Sequence, residues 1–480
     1  MYNANSDVNI VVKTPVGKSS QESIYNVVLQ GYVFSPVLCS KQIDTFGKEC
    51  LTEKKYTYLY KGKVEIPPLS MVDDVVCVAE CGFKSVLINS FLSCKSNTKK
   101  LQFGAGKCKK MHIGKQFEEY KCHPIYVDNW NEFEKKNEVG QEFIEDICVG
   151  QVQIEHSEEE KYLGDIIAKD GRNIKNIQAR VNKGKGIIKR ILEILEGIPF
   201  GKLYYQVAII LRNSLLVSSV LCNSEAWFNI TQSEFELIES VDLIFLRNLL
   251  GAPKTVPKEI LFLELGVVPL REIVKQKRLN FLHYILSQEK ESIIYRVFES
   301  QRRHPNKKDW VKSVEKDLEE LELNISFEEI RKMTKYRWKN IVKNTIHKNS
   351  FFKLEAKKQT HSKVKDLEHI RLEMQDYFMP NGIENMSKEE VQLIFKIRGK
   401  TTNVKMNRKN QFETYECSVC FAENETQEHI YQCEEIWKLK KQSKKEIPKF
   451  EEILYGNIQQ KVKVPRIFQE NMKIRGQNPS

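Results

Sequence analysis

Met71-Val72-Asp73-Asp74-Val75-Val76 sets two adjacent carboxylates inside an apolar run, with the turn-prone Pro67-Pro68 just before it. Two ionised aspartates side by side repel each other. Such a pair is tolerable at the tip of a hairpin between two buried strands, where a divalent cation can bind between the carboxylates. Lys63-Val64-Glu65-Ile66 before it and Val75-Val76-Cys77-Val78 after it are rich enough in β-formers to be those strands. An Asp-Asp turn that merely solvates a hairpin tip fits the dipeptide too.

The surrounding chain narrows the choice. Leu29-Gln30-Gly31-Tyr32-Val33-Phe34-Ser35-Pro36 comes first, then Met71-Val72-Asp73-Asp74, then Gly106-Lys107-Cys108-Lys109-Lys110-Met111-His112-Ile113-Gly114, then Tyr162-Leu163-Gly164. In order and spacing these resemble the later palm motifs of a non-LTR (LINE-type) retrotransposon reverse transcriptase. The helical part that follows is similar to the thumb and C-terminal region of that family.

The resemblance implies an α+β fold. A partial palm over residues 1–170, with a variable acidic insertion at about 116–160, precedes a helical thumb at 171–295 and a helical connector at 296–395. A basic segment with a zinc knuckle at 396–436 and a basic tail at 437–480 complete it. It further implies RNA-directed DNA polymerisation by two-metal nucleotidyl transfer, with Mg²⁺ or Mn²⁺ on Asp73 and Asp74 and with Lys107 near the departing pyrophosphate. Gln30 and Gly31 would approach template and incoming nucleotide, and Tyr162, Leu163 and Gly164 would grip the primer strand. The implied partners are an RNA template, a DNA target or primer and, if active, dNTPs.

The family carries a further aspartate on a palm strand well before the Gln-Gly motif, and Asp7 lies too close to Gly31 to be it. The expectation is therefore an N-terminally truncated copy that retains nucleic-acid binding with little or no polymerase activity. A non-catalytic RNA- or DNA-binding protein derived from a retrotransposon is the alternative.

Near the C-terminus stands Cys417-x2-Cys420-x8-His429-x3-Cys433. Three thiolates and one imidazole make a complete tetrahedral set for Zn²⁺, with no position left for water, so the spacing reads as a structural site. The small loop between Cys420 and His429 would need the metal to fold. Upstream lie Lys396, Arg398, Lys400, Lys405, Arg408 and Lys409, and the aromatics Phe412, Tyr415, Phe421 and Tyr431 flank the site. Cations find phosphates and rings stack on bases, so Lys400, Lys405 and Arg408 are candidate nucleic-acid contacts. The arrangement resembles the CCHC knuckle of several LINE-type elements.

Composition agrees with a polyanionic partner. Lys and Arg number 76 against 64 Asp and Glu, a net charge of +12 over 480 residues, which favours nucleic acid or an acidic surface. Met1 to Asp7 has neither a basic n-region nor an apolar h-region, so no secretory signal is read there. Val207 to Cys222, the most apolar stretch, is interrupted by Arg212 and Asn213 and is too short to span a bilayer. An intracellular location without membrane attachment is expected, and a nuclear role follows from the resemblance. Scattered cysteines such as Cys39, Cys94 and Cys222 read as small apolar residues.

Two helices are legible by period. Lys84 to Lys100 places Val86, Leu87, Phe91 and Leu92 on one face and should pack beneath the sheet. A second should start at Thr231, with Glu234 reaching back, and stop at Gly251 and Pro253. Arg271, Lys275, Lys277 and Arg278 on the next helix would form a phosphate-contacting face in a thumb. Gly-rich phosphate loops, nucleophile elbows and fixed-period repeats are absent from the sequence.

Overall fold

A computed structural model describes residues 8–10, 13–14, 17–20, 22–24, 35–98, 103–113, 126–127, 152–384, 386–408, 414–440, 449–450 and 458–477. Gln30, Gly31, Lys409, Phe412 and most of the acidic insertion lie outside the described residues. The fold is mixed α and β with helices predominating. The chain packs as two units. One holds residues to Tyr162 with Ile167–Arg172 and Gln288–His304, and the other holds Leu163–Ile166, Asn173–Ser287 and Pro305–Ser480.

In the first unit the helices Ser35–Thr52 and Gly82–Thr98 share an apolar core of Phe46, Cys50, Tyr56, Ile88, Phe91 and Leu92. Tyr56 and Phe91 stack with their ring centroids 4.1 Å apart, an arrangement that adds to the area they bury. Val75 and Cys77 pack on the same core, so the strand carrying Asp74 is seated on this helix pair. Phe91 and Leu92 are the anchors expected of the second helix.

The strands differ from expectation in their pairing. Val64–Ile66 pairs with Tyr58–Tyr60, whereas the aspartate hairpin is made by Leu69–Met71 and Asp74–Val76. Pro67-Pro68 separates the two hairpins, because proline has no N–H with which to continue a ladder. Among the described residues every sheet is two-stranded, so these strands do not join into one platform. The helix Ile293–Arg303 packs on the Val64–Ile66 strand, and Gln301 Nε2 donates to the Tyr60 hydroxyl at 3.2 Å. Cys94, read from sequence as a free small residue, is disulfide-bonded.

The second unit is a helical assembly, as its periodicity predicts. Ile174–Glu196 crosses Gln232–Leu250 closely. The crossing needs Gly184, where an added Cβ would stand 2.9 Å from the methyls of Val220 and Val241. Thr231 and Glu234 form the expected capping box, and Gly251 ends that helix at a φ of 58°. Leu318, Leu321 and Trp338 are buried on the helical segments after Pro305.

Val207 to Val220 is helical but widens into a π-turn at Arg212–Val217, and Leu221 and Cys222 follow in a turn. Arg212, expected to interrupt an apolar run, is instead buried against Asp242, with its Nε donating at 2.7 Å. No helix among the described residues is long and apolar enough to cross a membrane.

Candidate metal and nucleic-acid sites

The aspartate hairpin has a two-residue turn, Val72-Asp73, closed by the Met71 to Asp74 pair. Val72 adopts a φ of +59°. A β-branched residue there clashes with its own backbone, and such strain persists only where the surroundings hold it. Asp73 therefore sits at the tip and Asp74 at the first strand position, both exposed. Lys107 lies exposed in the short turn Ala105–Lys107, and among the described residues no hydrogen bond or ion pair joins it to either aspartate.

Tyr162 is brought toward the hairpin. Burial, and then the charge of Asp74, push its phenol above the ordinary value. Leu163 and Gly164, at φ of 47° and 87°, form the hairpin turn between Glu159–Tyr162 and Asp165–Ala168. A second turn follows at Lys169-Asp170, closed by the Gly171 N–H to Ala168 O at 2.9 Å, and Asp170 accepts the Arg172 N–H at 2.9 Å. Within the second unit, Asp165 is held by Arg180 at 2.7 Å, Asn176 at 2.7 Å and Asn223 at 2.8 Å. Asp165 was not a candidate from sequence, and this set fixes the turn that presents Leu163 and Gly164.

The four C-terminal ligands do converge. The Sγ atoms of Cys417, Cys420 and Cys433 and a ring nitrogen of His429 all lie within 4.8 Å of one another. Tetrahedral zinc, with bonds of about 2.0–2.3 Å, requires ligand separations of about 3.5–3.8 Å, so the set fits this ion. Local structure explains the convergence. Glu416 bridges Asn424, Cys417 N–H donates to Glu423 O at 2.7 Å, and Phe421 turns the loop at a φ of 55°. Thr426 caps the helix Gln427–Gln432, which delivers His429 and then Cys433.

The groups around the set are of the kind that support a metal-binding histidine and thiolates. His429 Nε2 lies 3.3 Å from Cys420 Sγ, while its Nδ1 faces the Glu423 carboxylate at 3.1 Å. A carboxylate behind a ligand histidine fixes its ring and raises its basicity. Burial pushes the Cys433 thiol up to about 12 and also raises that of Cys417. For Cys420 burial likewise raises the thiol, but the Ala422 and Glu423 backbone amides outweigh it and hold it low.

Glu425 and Arg475 were missed from sequence. Glu425 is fully buried and accepts from the Lys405 N–H at 3.0 Å, and Arg475 pairs with it at 2.7 Å. The segment read as a basic tail thus holds a packed helix, Ile458–Gln477, whose Asn471 donates to the carbonyls of Ile430 and Tyr431. No local pattern marks Glu425 as different from the other acids in this polar loop.

Several expected phosphate contacts are already engaged. Arg398 is buried against Glu264, and Lys405 Nζ donates to Glu416 O at 2.9 Å. Lys400 sits just past the helix Lys388–Arg398 at a φ of 48°, and Arg408 ends the short turn Lys405–Arg408. The cations proposed as a thumb face are paired as well. Arg278 meets Asp317 at 2.7 Å, Lys275 meets Glu272 at 3.3 Å, Lys277 meets Glu225 at 3.0 Å and Arg271 meets Glu239 at 3.4 Å. Lys275 and Arg278 are buried in these pairs, and Arg271 and Lys277 are half-buried in theirs.

No protein-family model, curated protein or solved structure matches this chain.

Proposed function

We propose that this chain is part of a non-LTR retrotransposon reverse transcriptase that binds RNA and DNA and carries a structural zinc module. The observation behind this reading is the Val72-Asp73 turn, in which an uncommon backbone conformation presents two adjacent aspartates on a hairpin seated over a helix pair. Asp73 and Asp74 would supply oxygen ligands to Mg²⁺ or Mn²⁺. Two carboxylates are only part of the octahedral shell Mg²⁺ demands, and the family's further aspartate would have to complete it. The Cys₃His set would take Zn²⁺ and hold the C-terminal module in shape.

A second reading, a non-catalytic nucleic-acid-binding protein of the same origin, is favoured by one observation. The strands described here stand as separate pairs, without a common sheet to hold a two-metal centre.

Primer extension on an RNA template with Mg²⁺ or Mn²⁺ separates the two. Template-dependent DNA synthesis lost in Asp73→Ala supports the polymerase. RNA binding without synthesis, unchanged by Asp73→Ala and lost in Cys417→Ser, supports the second reading. Neither synthesis nor binding defeats both.

A further inference from the structure

The helix Lys335–Gln359 carries Lys335, Arg337, Lys339, Lys343, Lys348, Lys353, Lys357 and Lys358, against Glu355 as its only acid. Side chains four apart on a helix share a stripe. Trp338, Val342, Ile346 and Leu354 form the buried stripe, and Trp338 Nε1 donates to Leu279 O at 2.9 Å, seating the helix on Leu270–Leu286. The inward-leaning Lys353 and Lys358 find Glu272, Glu320 and Glu355.

The outward stripes are different. Lys335, Lys339 and Lys343 follow one another at four-residue spacing, all exposed, and among the described residues none has an ion-pair partner. Beside them run Tyr336, Asn340, Asn344, Lys348 and Phe352, again four apart. Tyr336 is 77% exposed and Phe352 is 58% exposed. Lys348 Nζ lies 6.0 Å from the centre of the Phe352 ring. Burial, and then the nearby Lys343 charge, hold His347 below the ordinary histidine value.

We infer that this face of the Lys335–Gln359 helix is a binding site for single-stranded nucleic acid, with Lys335, Lys339, Lys343 and Lys348 on phosphates and Tyr336 and Phe352 stacking on bases. Unpaired lysines call for a polyanion, and a polyanion releases condensed counterions when they bind it. Two exposed rings about 24 Å apart along the helix call for flat apolar partners, which an unpaired strand offers and a closed duplex does not. Asn340 and Asn344 stand between, with amide groups that can meet base edges or sugar hydroxyls. The site rests on the nucleic-acid-binding reading above and names where that binding occurs outside the zinc module.

The test uses the full chain with labelled single-stranded RNA and DNA oligonucleotides, a duplex of the same sequence, and vesicles rich in phosphatidylserine, each over a salt series. Lys339→Gln/Lys343→Gln/Lys348→Gln should weaken single-strand binding about 100-fold at 0.1 M salt and reduce the slope of log K against log salt by about 2. Tyr336→Ala should weaken it about tenfold while Tyr336→Phe keeps wild-type affinity. These residues are exposed, so an unchanged melting temperature verifies folding.

The RNA and DNA arms show which backbone the site prefers, and either preference supports it. Wild-type binding that the triple variant leaves intact overturns the site but spares the proposed function. An intact chain that binds neither oligonucleotide overturns both. Equal or tighter binding to duplex with no effect of Tyr336→Ala, or lysine-dependent binding to the vesicles alone, also overturns it.

Discussion

The Arg398 guanidinium and the Glu264 carboxylate meet at 2.9 Å, 134 positions apart in the chain and both buried. Glu264 also receives the Tyr377 hydroxyl at 2.5 Å and faces His369 Nε2 at 3.0 Å, so each oxygen of this buried charge is satisfied. Removing one partner leaves the other charged and unpaired. Arg398→Ala should therefore destabilise the chain by about 3–5 kcal/mol, read as a lowered urea midpoint. An unchanged midpoint would show that the pair is not closed in solution.

The same cluster sets a pH dependence. Burial lowers the pKa of His369, but Glu264 and Glu355, at 3.0 Å and 3.1 Å, outweigh it and place the imidazole above its ordinary value. A folded pKa above the unfolded value of about 6.5 stabilises fully below that pH, and the contribution is lost as pH rises through the folded value. Glu264 works in the opposite sense. Burial raises its pKa, Arg398 and His369 more than reverse that, and its contribution is present above about pH 4.5 and lost only in strong acid. Urea midpoints should fall as pH rises above about 6.5, and His369→Gln should flatten that slope.

Zinc binding is measurable directly. The chain should carry one zinc per molecule, and Cys417→Ser or Cys433→Ser should abolish tight binding. Glu423→Ala, which frees the ring of His429, should weaken it about 10–100-fold in a chelator competition. Full affinity in Glu423→Ala would remove that carboxylate from the site.

Two backbone positions give predictions of opposite sign. Val72→Gly relieves the strain at φ +59° and should raise stability by about 1 kcal/mol, after the entropy glycine adds to the unfolded chain. At Gly266, with φ +64°, an added Cβ would stand 2.2 Å from Met374 N, against backbone that cannot yield. Gly266→Ala should lower stability by about 3 kcal/mol or more, and thermal melts of the two variants compare them.

Local signals were legible where the residues that form a feature are neighbours in sequence. The Thr231 capping box and the Gly251 stop are each spelled within a few residues and form as read, and Cys417, Cys420, His429 and Cys433, spread over 17 positions, converge. What escaped depends on distant partners. Arg278 and Arg398 read as exposed cations because nothing nearby in sequence announces Asp317 or Glu264. The strand partner of Val64–Ile66 was misassigned for a related reason: its alternation fits either neighbour, and only Pro67-Pro68 hints that the ladder ends before the aspartates. The reading of the last residues as a tail missed a helix whose buried face, Val464 and Phe468, is sparse in a lysine-rich background.

That last helix ties the ligand loop to residues well beyond it. Arg475 is moored on Glu425 inside the ligand loop, and Asn471 is moored on carbonyls of the turn that delivers His429 and Cys433. If chelation opens the loop, both moorings lose their berth together, and the helix Ile458–Gln477 becomes accessible to trypsin at Lys473 and Arg475. Proteolysis at the far end of the chain would then serve as a gauge of zinc occupancy some forty residues upstream.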